Sequence, residues 1–243
     1  MKNFKTRIYI NKLISSSLLI YIKDKQHHFL KNVLRIKIND KIIVFDGKTG
    51  EWEAVVISVN RDNVVVRVIK LNKKIKNPND IWLIFSPIKQ NRMSIAIQKA
   101  TELGVSKIIP CFTEFTNIKK INLQNIKDNS IEAAEQCGRM DLPIIEKETS
   151  INDLLLNWPN DRKIIFCDEK AENNKSILET LYSYKNTLNK SSLLIGPEGG
   201  FSNSEREVLK KNKNIIPVSL GQNVLRSDTA ITVALFSIQQ LLF

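Results

Sequence analysis

The chain has 243 residues, 42% of them hydrophobic, enough to bury a core in one large domain or two modest ones. Two adjacent histidines and three widely spaced cysteines exclude a zinc cluster and a disulfide framework. No run of about 18 apolar residues is present to span a membrane. The opening "MKNFKTRIYI" lacks the apolar stretch of a signal peptide, so a soluble cytoplasmic protein is expected. The net charge of +12 is unevenly placed. Residues 1–74 hold 16 Lys and Arg against 6 Asp and Glu, whereas residues 75–243 hold 21 against 19. A general preference for lysine would spread along the chain, so the first third is expected to meet an anionic partner, and nucleic acid fits best.

In chain order, "RIYI" (7–10) reads as a strand and "DKQHHFLKNVLR" (24–35) as a helix with Phe29, Leu30, Val33 and Leu34 on one face. "KIIVFDG" (41–47), "EWEAVVISVN" (51–60) and "NVVVRVIK" (63–70) are β-branched runs divided by Asp46-Gly47 and by Asn60-Arg61-Asp62, a spacing that suits a small antiparallel barrel. The polar, proline-bearing "LNKKIKNPND" (71–80) reads as a linker. After it the rhythm changes. Strands at 81–88, 107–112, 143–147, 163–169, 192–196 and 215–221 alternate with helices at 91–104, 123–138, 151–158, 175–184, 203–212 and 228–243. Such alternation predicts a parallel α/β sheet with helices on both faces.

Ligands of α/β sheets sit beyond the carboxyl ends of strands. Three segments have unusual chemistry there: Gly196-Pro197-Glu198-Gly199-Gly200, "LGQNVLRSDTA" (220–230), and Ser86-Pro87 with the following "KQNR". The glycine loop is not a phosphate loop, because Phe201 stands where the lysine that follows the last glycine would be needed. Ser202 and Glu205 have capping-box spacing, so the next helix satisfies its own N-terminus. What remains is a tight backbone with free N–H and C=O groups, suited to a flat, neutral group such as adenine.

"LLIGPEGGFSNSE" followed by "LGQNVLRSDTA" resembles the knotted SPOUT class of methyltransferases, and within it the bacterial 16S ribosomal RNA uridine N3-methyltransferase family (RsmE). "HHFLKNVLR", "QKATELGVSKIIPCFTEFT" and "EAAEQCGRMDLPII" extend the resemblance over the whole chain. It implies a PUA-like β-barrel that binds RNA over residues 1–72, a linker over 73–80, and a SPOUT methyltransferase domain over 81–243. That domain would be a parallel sheet whose C-terminal trefoil knot holds S-adenosylmethionine (SAM), without a metal. A sulfonium rather than a phosphate would then face Glu198, and the attraction of opposite charges makes that carboxylate tolerable. The resemblance assigns cofactor binding to Leu194, Ile195, Gly196, Pro197, Glu198, Gly199 and Gly200, and to Leu220, Gly221, Asn223, Val224, Leu225, Arg226 and Thr229. Asp228 stands where a glutamate is common in the family, with the charge kept.

Catalysis falls first to Arg226, as a cation for the developing uracil anion, and second to Arg139, which also sits where it would stabilise a helix end. A base is supplied by water or by Glu198, Glu102 or Asp228; Glu102 also reads as an ordinary helix-surface residue. RNA contacts are expected from Arg7, His28, Arg35, Lys37, Arg92 and Arg139. Cys111 and Cys167 read as small core residues. The last helix, apolar on almost every side, predicts a cover from its own domain or a second subunit, in line with the family's homodimers. The partner is then 16S rRNA within the small ribosomal subunit. The rival readings are a SPOUT enzyme acting on tRNA, and a non-catalytic RNA-binding assembly factor, which would leave both C-terminal loops without purpose.

Overall fold

The protein's computed structural model describes residues 4–75, 79–169, 175–185, 188 and 190–242. Residues 76–78 of the expected linker and Phe243 of the expected last helix lie outside the described residues. The chain forms two compact units, Met1–Asn77 with Ala134–Leu142, and Pro78–Ala133 with Pro143–Phe243.

The first unit is a five-stranded sheet of β1 (Arg7–Tyr9), β2 (Leu19–Ile22), β3 (Lys41–Phe45), β4 (Glu51–Val59) and β5 (Val64–Lys73), in the order β1-β3-β4-β5-β2. Alternate residues such as Ile20, Ile42, Val44, Val56, Val64 and Val66 turn inward to one core. The ladder is antiparallel except where β1 joins β3 in parallel. The reason is the length of chain between those two strands, which is ample for a crossover. Strand β5 also runs three residues into the stretch read as a linker. The helix expected over 24–35 is two pieces, α1 (Asp24–His28) and a π-helical turn, Phe29–Val33. Leu34 N–H reaches back five residues to the Phe29 carbonyl at 3.0 Å, and Arg35 leaves the turn at φ 50°. Leu30, in this wider turn, is fully buried in the core.

The hairpin between β3 and β4 turns on Asp46. Its carboxylate accepts from Ile14 N–H (2.9 Å), Lys48 N–H (2.8 Å), Thr49 N–H (2.7 Å) and the Thr49 hydroxyl (2.6 Å). Burial alone would raise its pKa; the four hydrogen bonds outweigh burial and hold it below the ordinary value.

The second unit is a seven-stranded, wholly parallel sheet. Its elements are β6 (Ile81–Phe85), α2 (Gln90–Glu102), β7 (Lys107–Phe112), α3 (Leu123–Cys137, whose residues from Ala134 on count with the first unit), β8 (Ile144–Ile145), β9 (Thr149–Ser150), α4 (Ile151–Leu156), β10 (Lys163–Cys167), α5 (Ile177–Tyr184), β11 (Ser191–Ile195), α6 (Asn203–Lys211), β12 (Ile215–Val218) and α7 (Ser227–Leu242). The order is β12-β10-β11-β6-β7-β8, with β9 beside β7. The near-continuous apolar runs arise because both faces are covered. Leu83, Leu193 and Ile165 enter the core under α2, α5 and α7, while Ile84, Leu194 and Phe166 enter the opposite core with Leu154 of α4 and Leu209 of α6.

At the amino edge of this sheet Arg162, 2% exposed, pairs with the Asp80 carboxylate. It also donates to the carbonyls of Asp80 (3.0 Å) and Ser191 (2.9 Å) and lies 3.8 Å from the centre of the Trp82 ring. One guanidinium therefore ties together the entries to β6, β10 and β11. Among the described residues no helix is long and apolar enough to cross a membrane.

Asp46→Asn should lower stability at neutral pH. A carboxylate with a depressed folded pKa contributes stability above its unfolded pKa and loses that contribution as it protonates, so the gap should narrow below about pH 4. Denaturant unfolding of both proteins at neutral and acid pH checks this; an undiminished gap in acid would remove the carboxylate charge from the account.

Candidate functional site

Four strands end in one row. Phe85 pairs with Ile195, Ile195 with Cys167, and Cys167 with Val218. Loops beginning at Asp168, Gly196 and Ser219 therefore leave the sheet side by side at its carboxyl edge, the place where open α/β sheets take ligands. With the first turn of α7 they wall a cavity of about 500 Å³.

The glycine loop follows its neighbours closely. A Cβ on Gly196 would lie 2.6 Å from the ring of Phe201, which is fully buried with its centroid 4.9 Å from that of Phe166. Gly200 sits at φ 67°, a conformation that favours glycine, and a Cβ there would collide with the Glu169 carboxylate. Beyond the loop Ser202 and Glu205 form a complete capping box, so a carboxylate of the chain itself already sits at the N-terminus of α6. The Ser227 hydroxyl, at the start of α7, donates to the Gly196 carbonyl at 2.9 Å and binds the second loop to the first. The second loop is also pinned at its origin: Ser219 N–H donates to the Lys175 carbonyl and Ile177 N–H to the Ser219 carbonyl, both at 3.0 Å.

The electrostatics select against a phosphate. Among the described residues the cavity lining contains Asp168 and Glu169 and no lysine or arginine. Ile195, Val218, Leu220, Leu225 and Ala230 make the apolar part of the wall. Such a site takes a flat, neutral group or a cation. Cys167 also lines it, with its thiol pushed above the ordinary value by burial. Cys111, in the core, is pushed up to about 12 by the same cause. Among the described residues no group of three or more His, Cys, Asp or Glu is placed to hold a metal.

Of the residues expected around a cofactor, Ile195–Pro197, Leu220, Gly221 and Asn223–Leu225 line this cavity. Leu194 points into the core on the other face of the sheet, and Gly200 is buried against Glu169. Glu198, Gly199, Arg226 and Thr229 are exposed and do not line it. Among the described residues neither Glu198 nor Asp228 forms an ion pair with Arg226, and the buried Oδ1 of Asp228 has no hydrogen-bond partner. Ser86 is also buried away from the cavity, with its N–H on the Ile195 carbonyl at 3.0 Å. Sequence reasoning missed Asp168, Glu169, Ser176, Ser219 and Ser227. The signal for the first two was present: polar residues directly after the apolar run of β10.

The remaining candidates lie elsewhere. Glu102, on α2, accepts from Lys99 (2.8 Å) and Gln98 (2.9 Å) of its own helix. Arg7, in the first unit, donates to Glu51 (3.0 Å) and to the carbonyls of Ala134 (2.8 Å) and Arg139 (3.0 Å). Arg139 is held by both oxygens of Asp141, at 3.1 and 2.7 Å. His28, Arg35 and Lys37 are exposed on the first unit, and Arg92 is half-buried on α2.

Residues 75–239 match the RNA methyltransferase domain family, and residues 22–69 match the RNA methyltransferase PUA domain. Ribosomal RNA small subunit methyltransferase E of Rickettsia conorii is 36% identical over 97% of this chain and 95% of its own length. The protein of that name from Buchnera aphidicola subsp. Schizaphis graminum is 32% identical over 98% and 97%. A solved putative methyltransferase of Legionella pneumophila, in complex with the bound cofactor SAM, shares the fold at a TM-score of 0.86 with 28% identity over 97% of both chains. A parallel α/β unit with a carboxyl-edge cavity and an attached PUA domain is the architecture of an RNA methyltransferase. The chain belongs to that RNA methyltransferase family, together with the ribosomal RNA small subunit methyltransferases E.

Gly196→Ala should destabilise the protein by about 1–3 kcal/mol, because the new methyl must displace a fully packed ring. Urea unfolding measures it; an unchanged midpoint would mean that Phe201 has room to retreat.

Proposed function

We propose that this chain is a SAM-dependent methyltransferase that modifies N3 of a uridine in 16S ribosomal RNA. The observation that carries the cofactor assignment is the cavity, walled by main chain, apolar side chains and two carboxylates, with no cationic side chain in its described lining. SAM fits that chemistry: a flat adenine for the backbone edges, and a cationic sulfonium where a phosphate would be repelled. When bound, SAM supplies an electrophilic methyl group. The named relatives support ribosomal RNA of the small subunit as the substrate.

The glycine loop and the loop from Leu220 to Arg226 hold the adenosine and methionine parts, mainly by their backbones. The return of the chain from edge strand β12 past Gly196 into α7 supports the trefoil knot expected of the SPOUT class. Uracil N3 carries an imide proton, so the enzyme must orient the base and stabilise negative charge on its ring. Arg226 takes that role: it is exposed at the end of the second loop, just before α7, and among the described residues no carboxylate neutralises it. Arg139 stands second, with Asp141 as its partner. Among the candidate bases Glu102 is engaged on its own helix, which leaves Glu198, Asp228 and water. N3 lies on the pairing edge of the base, so the target uridine is unpaired or flipped out.

Residues 1–72, the PUA-like domain, track RNA phosphates through Arg35, Lys37 and His28, with Arg92 and Arg139 contributing from outside that range. Arg7 belongs to this group by charge, but its donors are turned inward. The α/β domain spans 81–243. The exposed stripe of Val233 and Phe236 on α7 supports a homodimer. The enzyme acts in the cytoplasm on the small ribosomal subunit.

Incubation of the chain with SAM and small subunits lacking the modification, followed by nucleoside mass mapping, tests the reaction: 3-methyluridine in 16S rRNA is expected, and methyl groups found only in tRNA would refute it. Sedimentation should show a dimer at micromolar concentration; a fully active monomer would remove the interface. Arg226→Ala should lower the single-turnover rate by a factor on the order of 100 with little change in SAM affinity, as for other preorganised charge stabilisers. Equal losses of rate and SAM affinity would make Arg226 a brace of the cofactor loop.

A further inference from the structure

Glu169 stands on the cavity wall, yet it belongs to neither of the glycine-bearing loops. It follows β10, and its carboxylate lies over the backbone of Gly200. Arg206, on the first turns of α6, fixes it from behind. The guanidinium donates through Nε to both oxygens of Asp168, at 2.9 and 3.1 Å, and through a second nitrogen to the Phe201 carbonyl. Its third nitrogen donates to Glu169 at 3.3 Å. The two acids differ in setting. The Asp168 side chain is 2% exposed and closed in with Arg206, whereas that of Glu169 keeps 32% of its exposure. With no lysine or arginine in the described lining, Glu169 gives this cavity a carboxylate that, among the described residues, is held by one long ion pair. Its field acts across a partly apolar space, where charge is screened less than in water.

We propose that Glu169 sets the preference of the cavity for positively charged ligands, so that SAM is held more tightly than S-adenosylhomocysteine. The two molecules differ by one methyl group and one positive charge. Shape alone separates them weakly, since a single methyl in a pocket is worth little discrimination, and a fixed carboxylate facing the sulfonium adds a difference that arises from the extra charge alone. The inference rests on the cofactor reading above and adds to it a specificity-determining residue. Gly200 has a part in the device: a side chain there would push the carboxylate from its place.

Calorimetric titration of the full chain tests it with three ligands: SAM, S-adenosylhomocysteine, and sinefungin, which carries an amine-bearing carbon in place of the sulfonium. In Glu169→Gln, affinity for SAM and sinefungin should fall roughly tenfold while that for S-adenosylhomocysteine moves less than about twofold. Glu169→Asp, which keeps the charge, should keep most of the preference. Equal weakening of all three ligands in Glu169→Gln would show a hydrogen-bonding role and overturn the inference, as would an unchanged set of affinities. Failure of the unmodified chain to bind any of the three would overturn the cofactor reading and this inference with it.

Discussion

The buried hydrogen bond from the Ser227 hydroxyl to the Gly196 carbonyl joins the two loops on which the site depends. Each loop alone is an ordinary connection after a strand. Bound together they become opposite walls of one cavity. The bond needs a bare Gly196, because Phe201 occupies the space where a Cβ would be, and it needs α7 to begin at Ser227. Helix α7 is held in turn by α2 and α5 on the sheet face beneath, so the position of a loop hydroxyl is set by a packed core.

The same logic runs through the sheet. Parallel pairing in register aligns the last residues of β6, β11, β10 and β12, so the loops that wall the cavity share an origin set by the backbone ladder. At the opposite edge Arg162 fixes where those strands begin. A buried charge held this way is costly to disturb, since removing either partner leaves the other unpaired. At the cavity edge Arg206 does comparable work with Asp168 and Glu169. One structural cation, Arg206, stands behind the wall, and the wall itself carries carboxylates. That separation of charge lets a basic protein present an acidic pocket.

Much of this was legible in the chain. Alternating apolar runs and helical periodicities carried the α/β unit, because strands covered on both faces must be apolar throughout. The glycines of 196–200 and the capping box at Ser202 were visible as local patterns, and local patterns survive folding. Long-range geometry was not visible. The contact of Asp168 with Arg206 spans 38 residues, and no periodicity announces it. Strand β2 was missed because four residues leading directly into a helix offer neither turn signal nor length. The π-helical turn at Phe29–Val33 escaped for a related reason: its apolar spacing fits an α-helix equally well. The PUA domain and the family followed from several motifs in order, which no single pattern could have supplied.

Amide hydrogen exchange with and without SAM tests the central claim most directly, since it reads both loops at once in the unmodified protein. If one cofactor bridges them, SAM should slow exchange together at Ile195–Gly200 and at Leu220–Arg226, with a smaller effect at Asp168 and Glu169. Protection confined to one loop, or placed away from the carboxyl edge of the sheet, would contradict the account.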